Sequence, residues 1–298
     1  MLFLSVISLL FLRLQSREAE LAARIQQLLH IVLTTNDEKQ KAAAEAEAEK
    51  IFMEHGIPAI ASVGDEASYE FVFLTCSFGP PKLQKQVLQR AREGASKHEV
   101  PADAASYCAA HLRREAIKTA AEKHPPTHPA LREQIEELMK ADQAVREKNK
   151  FDIQKMAQAD REHRSALYAI FEKYGVPAYR MVDPRAASDF VTMVQHQSPD
   201  FRVKVLPKLK ANVEAGQADP RSYAMMFDRS RSDMGKKQVY GENLVCDSNH
   251  PKLHRGPIED ADNVDRRRAA IGLMRLELYT QLVIEMSPNL CPAAPNKK

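Results

Sequence analysis

Apolar residues recur along most of the chain at steps of three and four, the period of a helix with one buried face. Ala187, Phe190, Val191 and Val194 form one such stripe. The punctuation fits helices too. Asp183-Pro184, Ser198-Pro199 and Asp219-Pro220 each set a capping oxygen before a proline, whose missing N–H is harmless at the first helical position. Gly56, Gly94, Gly175 and Gly216 stand where helices are expected to stop. The predicted helices are 37–55, 65–77, 81–93 and 104–122, then 130–147, 151–174, 184–197, 199–215 and 220–231. GIPAIASV and GVPAYRMV read as short extended connectors. Lys236-Lys237-Gln238-Val239-Tyr240 reads as a short strand, and a helix is expected from about Asp260 to Tyr279.

The pattern repeats. Residues 56–77 align with 175–196 without a gap, and 7 of 22 positions are identical, among them Gly56/Gly175, Pro58/Pro177 and Phe71/Phe190. Further on, Ser106-Tyr107 matches Ser222-Tyr223. A repeat this long indicates a duplicated domain rather than a solenoid. The expected organisation is a leading segment 1–16, a degenerate copy over 17–124 and a second copy with an extension over 131–290. Pro125, Pro126 and Pro129 mark the joint. The fold class is therefore mainly α: two related helical halves, with a C-terminal extension that contains a short strand.

Composition narrows the function only by exclusion. A net charge of +3 on 298 residues demands neither nucleic acid nor an anionic surface, so no nucleic acid is expected. Glycine is scarce, at 10 residues, and no phosphate-loop, dinucleotide, nucleophile-elbow or zinc-protease motif is present. No cofactor is expected. The apolar run 2–12 is too short to cross a bilayer core, which takes about 20 residues. It suits the centre of an export signal or an anchor. The competing reading is an amphipathic helix, since Leu10, Leu14, Leu21, Ile25 and Leu28 share a helical spacing. An extracytoplasmic or membrane-tethered location is expected on the first reading, a cytoplasmic one on the second. Four cysteines in no Cys-x-x-Cys pair suit either disulfides or small buried hydrophobes. The repeat nevertheless brings Cys76 and Cys108 into consideration as a pair.

The second half carries a distinctive run of polar positions. They are Asp142-Gln143 with Arg146, Asp160, Gly175-x-Pro177, Gln195-His196, Asp228-Arg229, Gly235-x-x-Gln238-x-Tyr240-Gly241, Pro257-Ile258 with Asp260, and Arg267-Arg268. In order and spacing, residues 130–280 resemble a bacterial family known only as domain of unknown function 6624. The resemblance implies a helical domain and supplies no activity. This chain departs from the family pattern at Val176, Asp183, His163 and Glu242.

Most of these polar residues have no counterpart in the first copy, where Ser77 and Leu112 align with His196 and Asp228. A site, if there is one, belongs to the second copy. The expected ligand is small or peptidic and anionic. Gln143, Arg146, Asp160, Arg229, Gln238, Tyr240, Asp260, Arg267 and Arg268 are the candidate binding residues. The alternative is a hydrolase or transferase with His196 as general base and Asp228 orienting its ring. A third reading is a protein-interaction module without catalysis. Cys246, His250 and His254, with Asp247 alongside, have metal-ligand residue types, but a proline between the histidines gives them no fixed face, and no metal is expected.

Overall fold

A computed structural model describes residues 2–148, 152–246, 253–287 and 291, with side chains from residue 15 onward. The chain divides into two compact units. One runs through Leu112 and takes back the segment that starts at Arg268; the other is Arg113–Arg267. The proline-rich joint at 125–129 lies inside the second unit.

The first unit contains α1 (Leu2–Thr34), α2 (Glu38–His55), α3 (Ile60–Phe78), α4 (Pro81–Ser96), the first half of α5 (Ala102–Glu122) and, from the far end of the chain, α13 (Leu276–Met286). Every residue from Ala67 to Cys76 of α3 is buried, so this helix is enclosed on all sides. α1 packs on α2 and α3, and α4 also packs on α3. Ile25, Leu28, Leu29 and Val32 of α1 meet Ala44, Ala48, Ile51 and Phe52 of α2 in the same core. Ile25 and Leu28, from the N-terminal stripe, are thus core residues. No described helix is long and apolar enough to cross a membrane.

Arg275 fastens the returning helix α13 at its N-terminus. It binds both carboxylate oxygens of Asp103 at 2.6 and 2.8 Å, reaches Asp65 at 2.5 Å and lies 4.3 Å from the Tyr69 ring centre. Its backbone N–H donates to the Tyr69 hydroxyl at 2.9 Å. Cys76 of α3 and Cys108 of α5 form a disulfide with Cα atoms 5.7 Å apart. That lies inside the usual bonding range.

The second unit contains α6 (Pro129–Lys148), α7 (Ile153–Tyr174), the single turn α8 (Tyr179–Val182), α9 (Pro184–Gln195), α10 (Pro199–Glu214) and α11 (Pro220–Asp233). α9 carries the core, with Ala187, Phe190, Val191 and Val194 buried as their spacing predicts. α6 packs on α7 and α9, and α10 packs on α11. A two-stranded antiparallel ribbon follows, β1 (Leu244–Val245) and β2 (His254–Arg255). α12 (Val264–Ala270) spans the boundary between the units. A second disulfide joins Cys246 to Cys291.

Several local expectations are corrected. The two connectors are not extended. Ile60–Val63 and Tyr179–Val182 are helical, and each turn ends at a residue of positive φ, Gly64 and Asp183. Gly94 does not end a helix: α4 continues to Ser96, and a Cβ on Gly94 would sit 2.6 Å from Val100. Its role is close packing. Gly216 does terminate its helix, at φ +72°. Asp183 and Asp219 cap as expected, through Ala186 and Ser222, while Ser198 makes no side-chain cap. The strand expected at 236–240 is a single bridge between Gln238 and Ile258. The helix expected through 260–279 is broken, because the Arg268 carbonyl accepts from Ile271 and Leu273 and Gly272 turns with φ +79°. The tail beyond Pro288, apart from Cys291, lies outside the described residues.

The backbone carries further parallels between the halves. Gly56 and Gly175 share φ/ψ values of 72°/−147° and 71°/−146°. Gly64 and Asp183 share 83°/166° and 81°/165°. In both stretches a long helix ends at a glycine, a short turn follows, and three further helices come after it.

Candidate functional site

Asp142 and Arg146 are four residues apart on α6, which places them on one face. Asp160 and His163 lie one turn apart on α7, and His196 is the residue that closes α9. The packing of α6 on α7 and α9 brings all five together. Arg146 grips Asp142 with two parallel bonds, Nε to Oδ2 at 2.8 Å and Nη2 to Oδ1 at 3.0 Å. The same Nη2 contacts Asp160 and lies 2.6 Å from His196 Nδ1.

Arginine has no acceptor, so His196 Nδ1 accepts from it, and the neutral ring then carries its hydrogen on Nε2. Asp142 is the floor of the cluster, 1% exposed. Burial works against its charge, but the two hydrogen bonds and the charge of Arg146 outweigh that and hold its carboxyl well below the ordinary range. Burial likewise works against the Arg146 charge, yet Asp142 and Asp160 raise its pKa above the usual value. Gln143 leans on Asp142 at 3.2 Å. Buried Gln197 donates to the Asp160 carbonyl at 2.9 Å. His163 Nδ1 is buried without a hydrogen bond, 3.8 Å from Asp142.

Asp228 stands elsewhere in its bonding. Its carboxylate is fully buried and accepts from three backbone amides, Val239 at 2.7 Å, Tyr240 at 3.1 Å and Glu242 at 3.0 Å. The expected His196–Asp228 dyad is therefore replaced by two separate arrangements. The carboxylate nearest His196 in its own cluster is Asp142, at 3.8 Å from Nδ1, which exceeds hydrogen-bonding range.

Much of the remaining candidate set builds the same loop as Asp228. The Gln238 side chain clips the backbone of Asn243 through both N–H and C=O, at 2.9 and 2.8 Å. Tyr240 packs edge-on to Tyr223 and Phe227. Arg267 donates to the carbonyls of Val239, Glu259 and Asp260 and to the Asp260 carboxylate. These side chains close a loop on itself. Arg268 belongs to the first unit, where it is 1% exposed, donates to the Met274 carbonyl at 2.6 Å and covers the Tyr279 ring. Arg229 is exposed. The nine proposed binding residues thus divide, and only Gln143, Arg146 and Asp160 join His196.

Asp142, Asp160 and His196 also form the one group, among the described residues, whose donor atoms come within 4.8 Å of one another in a way that suits a metal ion. The Arg146 guanidinium already lies against all three, with a permanent positive charge where an ion would go. The Cys246 candidate is overturned, since its sulfur is bonded to Cys291. Asp247 and His250 lie outside the described residues.

Sequence reasoning undervalued Asp142 and His163. The i, i+4 spacing of Asp142 and Arg146 was the available signal.

The class of protein that emerges is a helical one whose second unit is organised around an Asp–Arg–Asp–His cluster built on the buried Asp142. The model of the Family of unknown function (DUF6624) matches residues 127–288, and the chain belongs to that family. No curated protein and no solved structure matches the chain.

Proposed function

We propose that the second unit is a binding module for a small anionic ligand, a carboxylate or phosphate, held by Arg146 and His196. The observation that carries this reading is the unequal burial of the two carboxylates on Arg146. The Asp142 side chain is 2% exposed and the Asp160 side chain 19%. Asp142 is a fixed counter-charge that orients the guanidinium. Asp160 occupies the outer place, where a ligand carboxylate or phosphate would sit, within reach of Arg146 and beside His196. A ligand of this class would displace Asp160 and keep the floor intact.

The test is calorimetric titration of the full chain with phosphate and with succinate. Asp160→Asn removes the internal competitor and is expected to tighten binding about tenfold, a change of about 1.4 kcal/mol. Arg146→Ala is expected to abolish binding. Absence of binding to both the wild type and Asp160→Asn overturns the reading. So does binding of a divalent cation that depends on Asp142 and His196.

A hydrolase or transferase is the second reading, and the proximity of Asp142 to His196 favours it. If the Arg146 side chain leaves, Asp142 becomes the group that orients the imidazole, and Nε2 becomes the base. In that case His196→Gln abolishes turnover of a phosphate or carboxylic ester, while Asp228→Asn retains it in the folded fraction.

The same reading extends to location and origin. With both cysteine pairs bonded, an oxidising, extracytoplasmic compartment suits the chain. Shared backbone geometry at Gly56/Gly175 and Gly64/Asp183 supports descent of the halves from one duplicated unit.

A further inference from the structure

The first unit holds a cavity of about 320 Å³ between α1, α3 and α13. That is the small end of the range for ligand sites, ~300–1,000 Å³. Its apolar part is Leu29, Leu33, Leu278 and Leu282. Its charged part is three carboxylates, Glu66, Glu70 and Glu285. Glu66 and Glu285 are exposed at the mouth, while Glu70 is 7% exposed. One Glu70 oxygen, Oε2, is buried and makes no hydrogen bond. An unmet acceptor of this kind is costly inside a protein and calls for a donor.

We propose that this cavity binds a small organic cation, a primary ammonium on an aliphatic chain, with Glu70 as its counter-ion and the leucines around its methylenes. Each part of the lining excludes a rival. Three carboxylates repel an anion. No Phe, Tyr or Trp lines the cavity, and the single imidazole of His30 makes no cage for a quaternary ammonium. A hard metal ion wants six or more oxygens, and four leucines take up part of this wall. An ammonium supplies the three N–H donors that the carboxylates lack.

The protonation of Glu70 provides a readout. Burial, with the charge of Glu66, raises its pKa to about 7, against the opposing effects of the Gln26 hydrogen bond and the Arg275 charge. The other titratable groups facing the cavity are His30 on α1, 3.6 Å from Glu285, and Glu285 itself on α13. At neutral pH the empty site therefore keeps Glu70 partly protonated. An arriving ammonium expels that proton, and binding at pH 7 releases a fraction of a proton.

The experiment is calorimetry of the full chain with n-hexylammonium at pH 7, in two buffers of different ionisation enthalpy. n-Hexanol, hexanoate and Ca²⁺ serve as comparison ligands. Hexylammonium is expected to bind at least tenfold more tightly than hexanol, with proton release, and hexanoate is expected not to bind. Glu70→Gln is expected to lose the proton release and at least tenfold in affinity. Glu66→Gln, at the exposed mouth, is expected to weaken binding two- to threefold without threatening the fold. The proposal is overturned by no binding of hexylammonium to the wild type, by binding without proton release, by affinity unchanged in both variants, or by tighter binding of Ca²⁺.

Discussion

Gly64 and Asp183, 119 positions apart, hold one and the same backbone conformation, φ 83° with ψ 166° and φ 81° with ψ 165°. This region belongs almost to glycine alone, and a side chain there costs about 1–3 kcal/mol. Asp183 offsets the strain with its carboxylate. It caps α9 through the Ala186 amide at 2.9 Å and pairs with Arg132 at 2.7 Å. Asp183→Ala keeps the strain and loses the cap, so it is expected to destabilise by about 1–2 kcal/mol. Asp183→Gly loses the cap and relieves the strain, and is expected to fall within about 1 kcal/mol of the wild type. Denaturant unfolding of the two variants checks the order. Alanine proving as stable as glycine would remove strain from the account.

Asp228 is a scaffold residue on this structure. Its removal strands three backbone amides in one step, that of Glu242 buried and those of Val239 and Tyr240 partly so. Asp228→Ala is expected to destabilise the fold by about 3 kcal/mol, and to do so in the absence of any ligand. Thermal unfolding measures it. An Asp228→Ala protein of wild-type stability that has lost a binding or catalytic function would return this residue to the site.

The pair of buried Asp142 and half-buried Arg146 makes stability depend on acid. The folded pKa of Asp142 is depressed from 3.8, so the contribution is present above the unfolded value and lost as pH falls through the folded one. Stability is expected to hold above about pH 5 and to decline in the acid below it. Asp142→Asn leaves Arg146 without its main partner, so a loss of about 3 kcal/mol at pH 7 is expected. The acid limb of the pH profile should also flatten. An unchanged acid limb would mean that other carboxylates dominate it.

The disulfide Cys76–Cys108 closes a loop with a separation of 32 residues, which in the chain-entropy view is worth about 3–4 kcal/mol. Reductant is expected to lower the midpoint of thermal unfolding. Denatured, unreduced protein is expected to show no free thiol. Four reactive thiols from protein prepared under oxidising conditions would contradict both pairings and the compartment they suggest.

The helices were legible because their signals are local. Asp183-Pro184 and Asp219-Pro220 carry capping oxygen and proline side by side, and the α9 stripe needs only its own twelve residues. The turn before Gly64 was missed because a glycine of positive φ and a preceding proline look like loop, whichever way the five residues between them coil. The site was half legible. Asp142 and Arg146 announce themselves by spacing, but His196 meets them across a helix interface that no local pattern encodes. Asp228 misled for a related reason. Its partners are main-chain amides 11 to 14 residues on, and backbone donors leave no mark in a sequence.

Glu70 gives a pH dependence of the opposite sign to Asp142. Its folded pKa is raised from 4.5 to about 7, so the folded chain binds more protons than the unfolded chain between those values. Stability from this group is full below about pH 4.5 and is lost as pH rises through 7. Glu70→Gln keeps the shape and removes the charge that must otherwise be buried. The variant is expected to gain on the order of 2 kcal/mol over the wild type at pH 8 and little at pH 5. Unfolding midpoints of the two proteins across that range decide the matter, with no ligand present. Equal midpoints at pH 8 would mean that the Glu70 carboxylate is solvated after all, and the case for a waiting counter-ion in the cavity would fall with it.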